Sequence, residues 1–282
     1  MSSNAKSVVM VTIRPADFPD FNDPPVVETL LSAQFDRLSL PKTAHFGLYW
    51  NEIRSRYPKT QEQVELPLIM ERQPDQSQIP LGIQFQTLEA PLTPRFWFIN
   101  ESGSELIQVQ RDRFIKNWRK SCSGDQYPRY EHLRSGFDKD FKQFEDFLKR
   151  NQLGAVRVNQ CEITYINHIV AGAGWENHTE IDKVFTMWRQ PRTTIPGLAS
   201  EVIFRASFPI SDDAGSFAGR LHVTVQPVTR LSDKKPMFVM ELTARGQVST
   251  GTEFFDLGRK WIVKSFAELT TSAMHKIWGR KD

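Results

Sequence analysis

Cysteine is scarce: Cys122 and Cys161 are the two in a chain of 282 residues. A small secreted domain held together by disulfides needs more, so that class is excluded. Charge of one sign is also lacking. Thirty-six Lys and Arg stand against thirty-three Asp and Glu, a net charge of +3, and a dedicated binder of duplex nucleic acid concentrates more positive charge than this. Long apolar runs are missing as well. "VVMVTI" near the start ends after six residues, which is short for a signal peptide, and nothing approaches the roughly eighteen apolar residues of a membrane span. The expectation is a soluble cytoplasmic protein with no membrane partner.

The signatures of catalysis are absent too. None of His45, His132, His168, His178, His222 and His275 forms HExxH, and neither cysteine has a CxxC partner. There is no GxSxG elbow, no GxxxxGK[ST] loop and no GxGxxG after a strand. "AGAG" at 171–174 follows a strand, but the next helix is expected only after Trp175 and Glu176, so a turn is the better reading than a phosphate cradle. Cys161 and His168 lie an odd number of residues apart and point to opposite faces of a strand. Glu162 and His168 share a face but sit about 20 Å apart along it. No catalytic residue, metal ligand or cofactor is assigned. A non-enzyme is the readier reading, and a metal site built from distant residues stays open.

What is present is alternation and helical spacing. "VVETLLSAQF" (26–35) reads as a strand with Val27, Thr29, Leu31, Ala33 and Phe35 on one side. Phe46, Trp50, Ile53 and Tyr57 recur at helical spacing until Pro58. Residues 60–80 carry Pro67, Pro74 and Pro80 and read as a long loop that is mobile or drapes over something. Strands are expected at 81–85, 95–99 and 105–114, then a helix marked by Leu133, Phe137, Phe141, Phe144 and Leu148 and stopped by Gly154. The second half repeats the order. A strand at 159–169 precedes a helix capped by Asn177 and Glu180. Strands at 201–208, 219–228 and 236–248 then lead to a helix over about 256–278.

This order predicts an α+β protein of largely antiparallel sheets with amphipathic helices packed on one face. An internal duplication of a strand–helix–three strands–helix unit is one version of it. The corresponding division is an N-terminal extension (1–24), a first α+β half (25–155) and a second (156–282).

The segments "PPVVETLLSAQF", "TAHFGLYWNEIRSRYP", "ELIQVQRDRFIKNWRK", "YPRYEHL", "QCEITYINHI" and "FAELTTSAMHKIWGR" resemble a sporadically distributed, uncharacterised bacterial protein family. The likeness runs from about Pro24 to Arg280. It implies a bacterial cytoplasmic protein, with sporadic distribution suggesting an accessory gene, and it supplies no mechanism.

Two surfaces could bind a partner. The first is the basic and aromatic stretch after Val109, with Arg111, Arg113, Lys116, Trp118, Arg119, Lys120, Tyr127, Arg129 and Tyr130. Read as one strand, residues 105–114 place Ile107, Val109, Arg111 and Arg113 on one face, so the two arginines must leave the core or find an acid there, with Glu28 available. The second is a polar strand face of Arg205, His222, Thr224, Gln226, Glu241, Thr243 and Arg245, which an ordinary half-solvated sheet would also show. The leading expectation is a recognition or regulatory protein docking a macromolecular partner, another protein first. The alternative is single-stranded nucleic-acid binding through residues 111–134. Self-association is left open.

Overall fold

The computed structural model describes residues 18–39, 42–72, 94–122, 124–189, 197–248 and 252–281. In chain order these form β1 (Asp20–Phe21), β2 (Val26–Phe35), α1 (Thr43–Ile53), β3 (Lys59–Gln63), β4 (Arg95–Ile99), β5 (Glu105–Gln110), β6 (Arg113–Arg119) and α2 (Tyr130–Arg150). There follow β7 (Val158–Val170), α3 (Ile181–Val184), β8 (Phe204–Ser211), β9 (Phe217–Thr229), β10 (Pro236–Gln247), α4 (Phe254–Leu269), α5 (Ser272–Ile277) and β11 (Arg280–Lys281). Nine strands make one sheet in the order β3-β4-β5-β6-β2-β7-β10-β9-β8, every pair antiparallel. β1 pairs with β11 as a separate ribbon. The molecule is an α+β protein.

The first strand of each half lies at the centre of the sheet, where β2 and β7 pair from Val26 to Phe35. Outward from β2 come β6, β5 and β4, and outward from β7 come β10, β9 and β8. Strand alternation then divides the side chains. Leu31, Ala33 and Phe35 of β2 share one face with Phe114 of β6, Cys161 and Ile163 of β7 and Leu242 and Ala244 of β10. The helices cover this face. Phe137, Phe141 and Phe144 of α2 pack on Phe114 at ring separations of 5.4–5.8 Å. Tyr49 of α1 meets Phe98 and Phe144. Phe137 also meets Phe255 of α4 edge-on at 5.0 Å, so the helices of the two halves share a single core.

Several elements depart from expectation. Residues 105–114 are not one strand: the chain reverses at Arg111 and Asp112, and Gln110 pairs with Arg113 across the turn. The C-terminal helix breaks at Thr270 and Thr271, where the Thr271 side chain accepts from the Met274 N–H and starts α5. The helix after Asn177 is short, a 3-10 turn over His178–Glu180 running into α3; the Asn177 side chain accepts from the Thr179 N–H, and the Glu180 carboxylate from the Glu176 N–H. Lys59–Gln63, at the start of the expected loop, is an edge strand. The strand expected at 81–85 lies outside the described residues. The turn at 171–174 is present, with Gly172 and Gly174 at φ +104° and +82°.

Candidate functional site

The hairpin at Arg111 and Asp112 redistributes the basic segment. Arg113 falls on the face away from the helices, while Lys116 and Trp118 fall beneath them. The nine residues of that segment therefore do not form one surface. Lys116 is buried, its ammonium donating to Asp140 (2.7 Å), Tyr57 (2.8 Å) and Glu105 (3.0 Å). Trp118 is buried edge-on against Tyr127, whose hydroxyl meets that of Tyr165 at 2.8 Å. Tyr130 is buried, donates to Asp256 and lies under the Arg259 guanidinium at 4.4 Å. Arg129 binds Asp20 and the Phe21 carbonyl, holding β1 to the start of α2. Arg119 donates to the Gly103 carbonyl, Arg111 is half-buried in the hairpin turn, and Lys120 is exposed. Glu28 accepts from Asn117, so Arg113 does not use it as a partner.

The second set is brought together. Arg205, Thr224 and Glu241 stand side by side across β8, β9 and β10, and His222, Thr243 and Thr164 make the next row. In the row after that, Arg220, Arg245 and Glu162 adjoin, with Arg245 donating to Glu162 at 2.5 Å. All seven expected residues lie on the face opposite the helices. Arg205, Gln226 and Glu241 are exposed there, and Thr243 is buried against Thr164 at 2.8 Å.

Part of the loop expected to be mobile or to drape over something crosses this face; its partners there were not named from sequence. Residues 64–72, "VELPLIMER", run as an extended strap over one end of the strands. Gln110 of β5 accepts from the Leu66 N–H at 3.0 Å and donates to its carbonyl at 3.1 Å. Arg113 of β6 donates to the Pro67 carbonyl, and Gln34 of β2 donates to the Met70 sulfur. Gln160 of β7 donates to the Ile69 carbonyl at 2.6 Å and accepts from the Glu71 N–H at 2.7 Å. Gln247 of β10 donates to the Glu71 carbonyl at 2.7 Å, and Arg220 of β9 to the Arg72 carbonyl at 3.2 Å. From β5 to β10 is four inter-strand spacings, roughly 19 Å. Extended chain from Leu66 to Glu71 covers roughly 17 Å. Only an extended segment can meet all these partners in order.

At the far end the Glu71 carboxylate is held by Arg220 and His222, each at 2.8 Å, with Arg245 at 3.9 Å. Burial pushes this carboxyl up, but the bonds from His222 and Arg220 outweigh it and leave it below the ordinary glutamate value. The signal available in the sequence was a polar strand face with glutamines near strand ends, beside a proline-bearing loop. Which loop meets which glutamine is tertiary information.

Cys161 is buried on the helix side, and burial pushes its thiol up to about 12, far from a usable nucleophile. Among the described residues no three His, Cys, Asp or Glu side chains are grouped as a metal requires. Among those residues no helix is long and apolar enough to cross a membrane.

No protein-family model and no curated protein matches the chain. Among solved structures, one of Methanococcus jannaschii TBP aligns with 87% of this chain and 99% of its own, at 11% identity and a TM-score of 0.24. A superposition that loose carries no argument about fold or function.

Proposed function

We propose that this protein is a non-enzymatic recognition module that docks a protein partner on the polar face of its sheet, the partner entering as an extended segment. One observation carries the reading. Side chains of five strands (Gln110, Arg113, Gln160, Gln247 and Arg220) bond the main chain of an extended polypeptide laid across them. A face that satisfies peptide N–H and C=O groups in this way has the chemistry of peptide recognition, where main-chain bonds supply affinity and side-chain pockets supply choice. The exposed Arg205, Gln226 and Glu241 continue the same face beyond the strap.

Apart from Arg113, which bonds the strap, the residues of the basic segment are not the contact surface in this proposal, because most of them are spent on internal bonds. Stacking on unpaired bases needs aromatic faces in the open, and Trp118 and Tyr130 are buried. The test is selection of displayed random peptides on the full chain, followed by amide-shift mapping of the best binders. Shifts confined to polar-face residues of β5, β6, β7, β9 and β10 are expected. Shifts confined to the helix side, or salt-sensitive binding of single-stranded RNA with no peptide selected, would overturn the proposal.

A further inference from the structure

We infer that the strap is an internal occupant of a peptide groove, and that the groove's own ligand is an extended partner segment with one acidic side chain where Glu71 sits. This rests on the docking reading above and adds the ligand's chemistry and its regulation. The first support is the division of contacts. Gln110 and Gln160 each make paired bonds to main-chain groups, which any extended peptide presents. Two strap side chains are read by charge: Glu65 by the exposed Arg37 at 2.7 Å at the near end, and the buried Glu71 carboxylate by the Arg220, His222 and Arg245 cradle at the far end.

The second support is where the strap's apolar side chains go. Val64, Leu68 and Ile69 are 77%, 60% and 44% exposed. A segment retained for stability would turn such side chains inward, since burial is what makes them stabilising. Leu66 and Met70 are half-buried; the rest of the strap is held by polar bonds, which water or a competing peptide can replace at small net cost. Lifting it opens the main-chain-reading glutamines and the cationic cradle without opening the core. The vacated face would then hold Gln160, Gln247, Arg220 and His222 without the bonds the strap supplies. It therefore favours a replacement with the same donors, acceptors and negative charge. A tethered occupant competes at high effective concentration, so partner affinity in the intact chain is reduced by the fraction of time the strap is seated.

The experiment uses a labelled peptide QVELPLIMER, matching Gln63–Arg72, titrated into the full chain by fluorescence anisotropy. Glu71→Arg sets a cation against Arg220 and Arg245 and unseats the tethered strap, while the free peptide keeps its glutamate. The peptide is expected to bind Glu71→Arg at least about tenfold more tightly than the unaltered chain, and adding Arg220→Glu should abolish the gain. Equal or absent binding in both folded chains would overturn the inference. If circular dichroism shows Glu71→Arg unfolded, Glu71→Gln is read in the same titration. A gain of about threefold is expected there, and no gain overturns it. The docking reading is separable. Library-selected peptides that bind the unaltered chain and Glu71→Arg equally well would remove the internal occupant and keep docking. Strap peptide bound by Glu71→Arg, with selected peptides mapping elsewhere, would remove docking and keep the groove.

Discussion

Lys116 and Asp140 show how one residue's environment reverses a surface reading. In sequence Lys116 belongs to a basic stretch, yet its side chain lies between β6 and α2, bonded to a carboxylate that is itself buried. Removing one partner of a buried pair strands the other charge. Lys116→Met is expected to cost about 3 kcal/mol in urea unfolding, with Arg56 left as the remaining cation on Asp140. Adding Asp140→Leu should recover most of that loss. The pH dependence follows from the direction of each shift. Burial pushes the Asp140 carboxyl up, but Lys116 and Arg56 outweigh it and hold it below its ordinary value. Its contribution is therefore present above the unfolded carboxylate pKa and fades as pH falls through the lower folded one. Glu71 has the same sign. The strap should loosen as pH falls below the ordinary glutamate value of about 4.3, seen as faster amide exchange at Leu66 and Glu71 before the sheet itself opens.

At the scale of elements, α4 is seated by the absence of side chains. A Cβ on Gly246 would stand 2.2 Å from the Phe254 ring and 2.3 Å from the Ala218 carbonyl, and one on Gly219 would stand 2.3 Å from the Arg245 carbonyl. Gly246→Ala must push Phe254 and the N-terminus of α4 outward. A loss of about 3 kcal/mol is expected in denaturant unfolding, and a loss below about 0.5 kcal/mol would contradict this packing. How much could be read beforehand divides along the same physics. β2 and β4 were legible to the residue because alternation and flanking turn or proline residues bound them. α2 was legible from its row of phenylalanines. The β5–β6 hairpin was not, since Arg111 and Asp112 carry no glycine or asparagine to announce a tight turn. Nor was the Thr270–Thr271 break, because the apolar spacing continues through it to Ile277. The polar face of β8–β10 was legible from alternation, whereas the strap and its glutamines depend on strand order, which no local pattern encodes.

For the whole molecule the decisive junction is β2 with β7. Leu31 and Ala33 of one half face Ile163 and Cys161 of the other, and Phe137 meets Phe255 above them. Splitting the chain would expose two long central strands as raw edges. Unfolding is therefore expected as one transition, with tryptophan fluorescence and far-UV circular dichroism coincident. Separate expression of residues 25–155 and 156–282 should give aggregated or unfolded halves, and two independently folded halves would contradict a shared core. The same continuous sheet lets one extended segment touch β5 at one end and β9 at the other, which is why recognition is placed on the face and not on either half. That placement is tested most directly by amide hydrogen exchange across residues 64–72, in the unaltered chain and in Gln160→Ala. Slow exchange at Leu66 and Glu71 is expected, with Glu71 protection lost in Gln160→Ala while β7 and β10 keep theirs. Exchange at Glu71 as fast as an unstructured peptide in the unaltered chain would mean that the strap does not lie on the face, and the recognition reading would fall with it.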